Sequence, residues 1–396
     1  MTQFSVNGRV YRPPPCPIVG ICFDGCADEY LDAALDRDLM PNLKRMALGG
    51  FRGLARAAMP TFTNVNNASI ATGAPPSVHG ICGNYFFDTR SGEEVMMNSS
   101  QFLRADTIFA AAQRAGRKAA VVTAKDKLRD ILGAALAAAG GTAFSAEKAK
   151  GGPPIYSAEA SLFVLRAGVG LAQSGAADFL YLSTTDFIQH KHGPSEPDAL
   201  DFYAAVDREL GNLIDSGALV GLTADHGMNA KQKPDGSPNV LYLETALNER
   251  FGPGFRVILP ITDPYVAHHG ALGSFAQVYL PVENRPPLAA VIDFLRESPG
   301  ITEVLDSVAA ARLMQLPPDR IGEVIVVSGR DMTVGRARKW HDLDALAGPL
   351  RSHGGRYEEM VPFILSAPLQ PEFVSRATRD LRNFDLFDFL CNGTPL

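Results

Sequence analysis

The sequence predicts an α/β protein with a mostly parallel central sheet flanked by helices on both faces and a smaller inserted α+β cap. Strand-length apolar runs alternate with amphipathic helical stretches through residues 17–227, the spacing of repeated strand–helix units. Those runs are apolar throughout rather than at every second position, as in strands covered on both faces. A chain of 396 residues, 46% hydrophobic and 20% charged, also has the length and apolar surface for one large core with an insertion.

PIVGICFDG, residues 17–25, is too short for a core helix and ends on Asp24 and Gly25, so it reads as a buried strand with Asp24 at its carboxyl end. YLDAALDRDL and MPNLKRMALGG read as helices, the second entered near Pro41 and stopped at Gly49. FRGLARAAM reads as a strand, and in TFTNVNNASIATG threonine and asparagine offer helix N-caps. Residues 106–116 predict a helix, 118–124 a strand, and DKLRDILGAALAAAGG a helix stopped by glycines. SAEASLFVLRAGVGLAQSG is helical, 178–186 a strand, PDALDFYAAVDRELGNLIDSG a long amphipathic helix entered at Pro197, and 218–227 a further strand.

From about 228 to 350, turns rich in proline and glycine (KPDGSPN, FGPGF) separate shorter strand-like pieces such as FAQVYL and EVIVVSG. The expected division is therefore a core of residues 1–228 and 350–396, with the cap inside 229–349, and MVPFILSA near 360–367 returning to the main sheet.

Lysine and arginine total 37 against 43 aspartate and glutamate, a formal charge of −6. That balance argues against a nucleic acid polymer held on a generally basic surface and leaves room for a local cationic pocket. Cys16, Cys22, Cys26, Cys82 and Cys391 are odd in number and form no C-x-x-C pair, which predicts packing residues in a reducing compartment. No apolar run approaches the roughly 20 residues that span a bilayer, and MTQFSVNGRVYRPPPCP lacks a signal-like apolar region. The expectation is a cytoplasmic protein with no membrane partner.

In a parallel sheet the loops beyond the carboxyl ends of the strands converge on one crevice. Asp24, Asp186 and Asp225 all occupy such ends. Each alone is also what a turn or capping acid looks like. Asp186 and His190 stand four apart in DFIQHKHGP, which on a helical turn puts both on one face; Asp225 and His226 are adjacent in ADHGM; His353 lies in RSHGGRYEEM before two glycines. Three carboxylates and three imidazoles suit first-row divalent metals and suffice for two neighbouring sites with open positions. Thr63 stands at the start of a predicted helix, where unpaired backbone N–H groups favour an anionic phosphoryl group, although a plain capping role fits as well. Lys125 and Lys127, in VVTAKDKLR, follow a predicted strand on the same edge of the sheet. There they oppose the helix dipole, so helix stability does not explain them.

The ordered set of Asp24, PTFTNVNNASIATGAPPSVHGICGNYFFD, DFIQHKHGP, ADHGM and a late SHGG, spanning roughly residues 17–367, resembles the alkaline phosphatase superfamily and its nucleotide pyrophosphatase/phosphodiesterase-like branch. The resemblance implies an alkaline phosphatase-like core and two Zn2+ per chain, other divalent metals being possible. It implies one zinc on Asp186, His190 and His353 and a second on Asp24, Thr63, Asp225 and His226. It further implies Thr63 as the metal-activated nucleophile, Asn84 as donor to a phosphoryl oxygen, and Lys125 and Lys127 on a substrate carboxylate. The implied reaction is hydrolysis of the P–C bond of a small phosphonate, phosphonoacetate, to acetate and phosphate, through phosphothreonine or by direct attack of hydroxide. A nucleotide pyrophosphatase/phosphodiesterase on the same bimetal site is the alternative, with Tyr85, Phe86 and Phe87 as an aromatic wall; a non-catalytic metal-stabilised binding protein is a third reading. A homodimer is plausible from the resemblance. His79 reads as structural, His192 as supporting the neighbouring His190 or simply exposed, His268 and His269 as loop or surface residues with lining of the cleft from the cap as the alternative, and Trp340 and His341 carry no decisive signal.

Overall fold

The computed structural model describes residues 3–154, 156–261, 271–346 and 348–395. The apolar runs become strands: β1 (Ile18–Cys22), β2 (Phe51–Arg56), β3 (Ala119–Thr123), β4 (Thr142–Ser145), β5 (Phe179–Ser183) and β6 (Leu219–Thr223). A second stretch supplies β7 (Arg256–Ile258), β8 (Phe275–Tyr279), β9 (Ile301–Asp306) and β10 (Val324–Ser328), and β11 (Met360–Leu365) follows it. The main sheet has seven strands in the order β2-β11-β6-β1-β5-β3-β4, and β7-β8-β10-β9 form a separate four-stranded antiparallel sheet. β11 does rejoin the main sheet, antiparallel to both β6 and β2, so that sheet is mixed with a parallel majority.

β1 sits between β5 and β6, both parallel to it and buried along their whole length. Cys22 lies opposite Ser183 on one side and Thr223 on the other. That register decides the rest: Asp24, Asp186 and Asp225 follow these aligned residues by two, three and two positions, so three acids leave the sheet at one edge. The helices that dress the sheet include α1 (Thr63–Thr72), α2 (Asp126–Ala138), α3 (Ala158–Gln173) and α4 (Pro197–Asp215). The edge strand β4 and a hairpin of Tyr85–Asp88 with Glu93–Met96 were not distinguishable in the sequence, being four residues each and only partly buried.

Gly20 and Gly221 face each other across β1 and β6. The C-terminal segment packs flat on this bare backbone: a Cβ on Gly20 would overlap the Phe387 ring, and one on Gly221 would come within 2.9 Å of Leu386 and Leu390. All five cysteines are free, four of them buried, as packing residues would be. Among the described residues no helix is long and apolar enough to cross a membrane. Overpacking at such a contact costs about 1–3 kcal/mol. Gly20→Ala is therefore expected to lower the thermal midpoint, and combining it with Phe387→Leu to recover part of the loss; an unchanged midpoint for the single variant would contradict this packing.

Candidate metal centre

Asp24, Asp186 and Asp225 are at most 4% exposed. Thr184 Oγ1 accepts from the Asp24 backbone N–H at 2.9 Å, and Asp225 Oδ1 accepts from the N–H groups of Gly25 and His226 at 3.1 and 3.0 Å, which ties the end of β1 to the ends of β5 and β6. His190 lies on the short helix Phe187–Lys191, one turn beyond Asp186, with Nε2 3.0 Å from Asp186 Oδ2. His353 arrives from the loop after Arg351–Ser352, its Nε2 3.8 Å from the same oxygen. Two overlapping groups among the described residues could hold a metal ion: Asp186, His190 and His353, and Asp24, Asp186 and His226, the ligand atoms of each lying within 4.8 Å of one another. Asp186 belongs to both. Asp225 stands beside the second group, its Oδ2 3.7 Å from His226 Nε2.

The imidazole tautomers follow from the backbone. His190 Nδ1 lies 2.9 Å from the Arg351 carbonyl, His226 Nδ1 2.9 Å from that of Gly227, and His353 Nδ1 2.7 Å from that of Thr61. Carbonyl oxygens only accept, so each Nδ1 carries a proton and each Nε2 is the atom turned toward the carboxylates and left for a metal, the arrangement of metal-binding histidines. Asp24 Oδ1 is buried and has no well-aligned donor; His226 Nε2 lies 3.3 Å from it. Carboxylate oxygens and imidazole Nε2 atoms converging on a buried volume fit a cation, and nitrogen with carboxylate oxygen is a donor set for a first-row divalent metal.

Thr63 is the first residue of α1, not its cap: Phe62 holds the cap position with extended backbone. The capping reading therefore falls away, and Thr63 Oγ1 lies 3.4 Å from His226 Nε2, beside the second of the two groups. Asn84 Oδ1 accepts the Asn64 N–H of the same helix end at 3.2 Å. That fixes the amide so that its NH2 remains for another acceptor. Lys125 stands at the N-cap of α2 with Nζ 2.7 Å from Asp24 Oδ2 and 3.0 Å from Asp186 Oδ1, in the crevice itself. Lys127 is half-buried on the first turn of α2.

Tyr85, Phe86 and Phe87 are engaged in packing. Tyr85 donates to Glu94, Phe86 meets Phe102 edge-on, and Phe87 packs against Tyr279 beneath Arg256. His79 is buried; Nδ1 accepts the Ile81 N–H, so Nε2–H donates to Ser69 Oγ at 2.8 Å, the wrong polarity for a general base. His192 faces Glu196 and Asp198 away from the centre, and His341 accepts the Arg336 N–H beside exposed Trp340. His268 and His269 lie outside the described residues. Sequence reasoning passed over Thr61, whose carbonyl orients His353 and whose hydroxyl donates to Gly355 O, and Asn67, whose amide reaches Asp225. The only sequence signal for these was their nearness to Thr63.

Residues 18–161 and 163–356 match the Type I phosphodiesterase / nucleotide pyrophosphatase family. Phosphonoacetate hydrolase from Sinorhizobium meliloti 1021, solved in complex with phosphonoacetate and with phosphonoformate, is 48% identical over 98% of each chain, with a TM-score of 0.92. Murine ectonucleotide pyrophosphatase / phosphodiesterase 5 shares the fold at 18% identity over 96% of each chain, TM-score 0.66. Venom phosphodiesterase from Naja atra is 27% identical over 54% of this chain and 26% of its own length. The chain spans about a quarter of the length of such curated relatives.

Packed this closely, the groups set one another's ionisation. Burial and Asp186 oppose the charge of Asp24, but Lys125 and His226 outweigh them and lower its pKa. Burial opposes the charge of Asp186 too, and Lys125 and His190 hold it well below the usual range. Burial and then Asp24 push Asp225 up to about 8. Burial disfavours charge on His226, yet Asp225 and Asp24 prevail and push it up to about 9. Burial, with His226 and His190, holds His353 well below its ordinary value. At neutral pH the Asp225/His226 pair therefore retains protons that a metal must expel. Apparent metal affinity of the apo-protein is expected to rise as pH increases from 6 to 9, by up to about tenfold per pH unit for each proton displaced. Titration calorimetry in buffers of different ionisation enthalpy checks this; an affinity independent of pH, with no proton release, contradicts it.

Proposed function

The chain belongs to the Type I phosphodiesterase / nucleotide pyrophosphatase family, and on that premise we propose that it hydrolyses the phosphorus–carbon bond of phosphonoacetate to acetate and phosphate. The observation that carries this reading is the near-full-length likeness to phosphonoacetate hydrolase, whose structure holds phosphonoacetate. The nucleotide pyrophosphatase relatives share the fold at far lower identity. The engagement of Tyr85, Phe86 and Phe87 in packing also weakens the case for an aromatic base-binding wall.

We assign one zinc to Asp186, His190 and His353 and a second to Asp24, Thr63, Asp225 and His226; bound there, the two ions would supply the Lewis acidity that activates a hydroxyl and offsets phosphoryl charge. Thr63 passes its hydroxyl proton to solvent, where it neutralises the hydroxide left by the later protonation of carbon, and its Oγ attacks phosphorus opposite the carbon. An O–P bond forms, the P–C bond breaks, and its electron pair passes into the acetate fragment as an enolate-like dianion that water protonates. Water then attacks the phosphothreonine, restoring Thr63 and releasing phosphate. The first-turn N–H groups of α1 other than that of Asn64, which Asn84 Oδ1 takes, and the remaining NH2 of Asn84 receive phosphoryl oxygens. Lys125 and Lys127 hold the substrate carboxylate and the charge that develops on it. Five free cysteines accord with a cytoplasmic location.

Side-by-side assays of the zinc-loaded protein with phosphonoacetate, an aryl phosphodiester and a nucleotide test the substrate. Phosphate release from phosphonoacetate, abolished by chelation, is expected to dominate; preference for either ester by orders of magnitude would overturn the reading. Thr63→Ala is expected to bind metal and lose turnover by several orders of magnitude, whereas normal turnover would exclude the phosphothreonine and leave direct attack by hydroxide. Lys127→Met removes a hydrogen bond between charges, worth about 1.5–3 kcal/mol. It should weaken kcat/KM for phosphonoacetate by roughly 10- to 150-fold while sparing the slow hydrolysis of an ester that lacks a carboxylate.

A further inference from the structure

Asn67 lies one helical turn beyond Thr63 on α1 and is fully buried. Its Oδ1 accepts two hydroxyl donors, Tyr181 Oη at 2.7 Å and Ser183 Oγ at 2.8 Å, both from β5. These two bonds fill the acceptor capacity of the carbonyl, so the amide has one orientation. Its NH2 faces the other way and donates to Asp225 Oδ2 at 3.2 Å and to the Thr63 carbonyl at 3.0 Å. The other oxygen of Asp225 is already held by two backbone N–H groups. One side chain thus joins a strand beneath the site, the backbone of the residue proposed as nucleophile, and the carboxylate proposed as ligand.

We propose that Asn67 is a positioning residue that holds Asp225 Oδ2 in register with the Thr63 hydroxyl, so that the second metal and the nucleophile are placed by the same amide. This rests on the assignment of Thr63 and Asp225 given above. The orientation is the essential part. With its carbonyl reversed, the side chain would set a lone pair against Asp225 and against the Thr63 carbonyl, and both would repel it. The amide cannot reverse while Tyr181 and Ser183 donate to it.

Asn67→Asp tests the proposal with almost no change of shape, because it keeps an acceptor for Tyr181 and Ser183 and replaces the donor with a second acceptor. Zn2+ titrated into the apo-variant is expected to bind at one equivalent with the wild-type affinity and at the second at least 10-fold more weakly, the usual range for loss of a group that orients a ligand. Loaded at saturating Zn2+, the variant should lose at least 10-fold in kcat with KM for phosphonoacetate changed by less than about 3-fold, a split that general destabilisation does not produce. If the variant does not fold, Tyr181→Phe, which removes one of the two donors that hold the amide and keeps the ring, is expected to weaken the second equivalent by about 2- to 5-fold, less than loss of the whole orienting group. Wild-type affinity for both equivalents in a folded Asn67→Asp protein, or in Tyr181→Phe where only that variant folds, overturns the proposal. Asp225→Asn separates the two levels: if it binds both equivalents as wild type does, the ligand assignment falls and this proposal with it; if it loses the second equivalent while Asn67→Asp does not, only the role of Asn67 falls.

Discussion

Three carboxylates buried at the ends of three adjacent strands are the constraint from which the rest of this structure follows. An isolated buried carboxylate is expensive, and two or three together cannot all ionise without a compensating charge. The register of β5, β1 and β6 nonetheless delivers Asp186, Asp24 and Asp225 to one volume. Everything packed around that volume supplies what such a cluster needs: the ammonium of Lys125, the imidazole of His226 held protonated by Asp225 and Asp24, and backbone N–H groups on Asp225. A cation-binding centre is the arrangement in which each of these groups has a partner.

The segment from Thr61 to Asn67 converts that electrostatic requirement into geometry. Thr61 orients His353 through its carbonyl and binds Gly354 and Gly355 through its hydroxyl. Two residues on, Thr63 opens α1, and a further turn on, Asn67 reaches Asp225. A second clamp holds the opposite side of the same loop: the buried Glu358 accepts the Gly355 N–H and pairs with Lys231, itself fully buried. A site supported by helix ends and strands rather than by free loops holds its donors in place before any ligand arrives, which is the condition under which electrostatics contributes most to catalysis.

The difference between local and distant information explains what was legible in the sequence. A strand that ends in an acid is written in consecutive residues, so β1, β5 and β6 and their three aspartates could be read directly. The pairing of Asp186 with His190 could be read from its helical offset. The partners that orient these groups could not: Asn67 and Asp225 are 158 positions apart, His190 and the Arg351 carbonyl 161, His353 and the Thr61 carbonyl 292. No periodicity links such pairs, and a backbone carbonyl leaves no residue type to recognise. The antiparallel direction of β11 was hidden for a related reason, since a buried apolar run looks the same in either direction.

The state of Lys125 bears on how a carbon leaving group can be expelled. Burial opposes its charge, but Asp186 and Asp24 hold its pKa well above the ordinary lysine value. A group held so firmly protonated is a poor acid and a strong fixed charge. In the proposed reaction it therefore serves the departing acetate as a counter-charge to the developing enolate oxygen, not as the source of the proton that carbon finally acquires. The raised groups Asp225 and His226 are, in the same proposal, committed to the second metal. Protonation by water after bond cleavage needs no further acid from the chain, because charge spread onto a carboxylate held by lysines does not demand neutralisation in the same step.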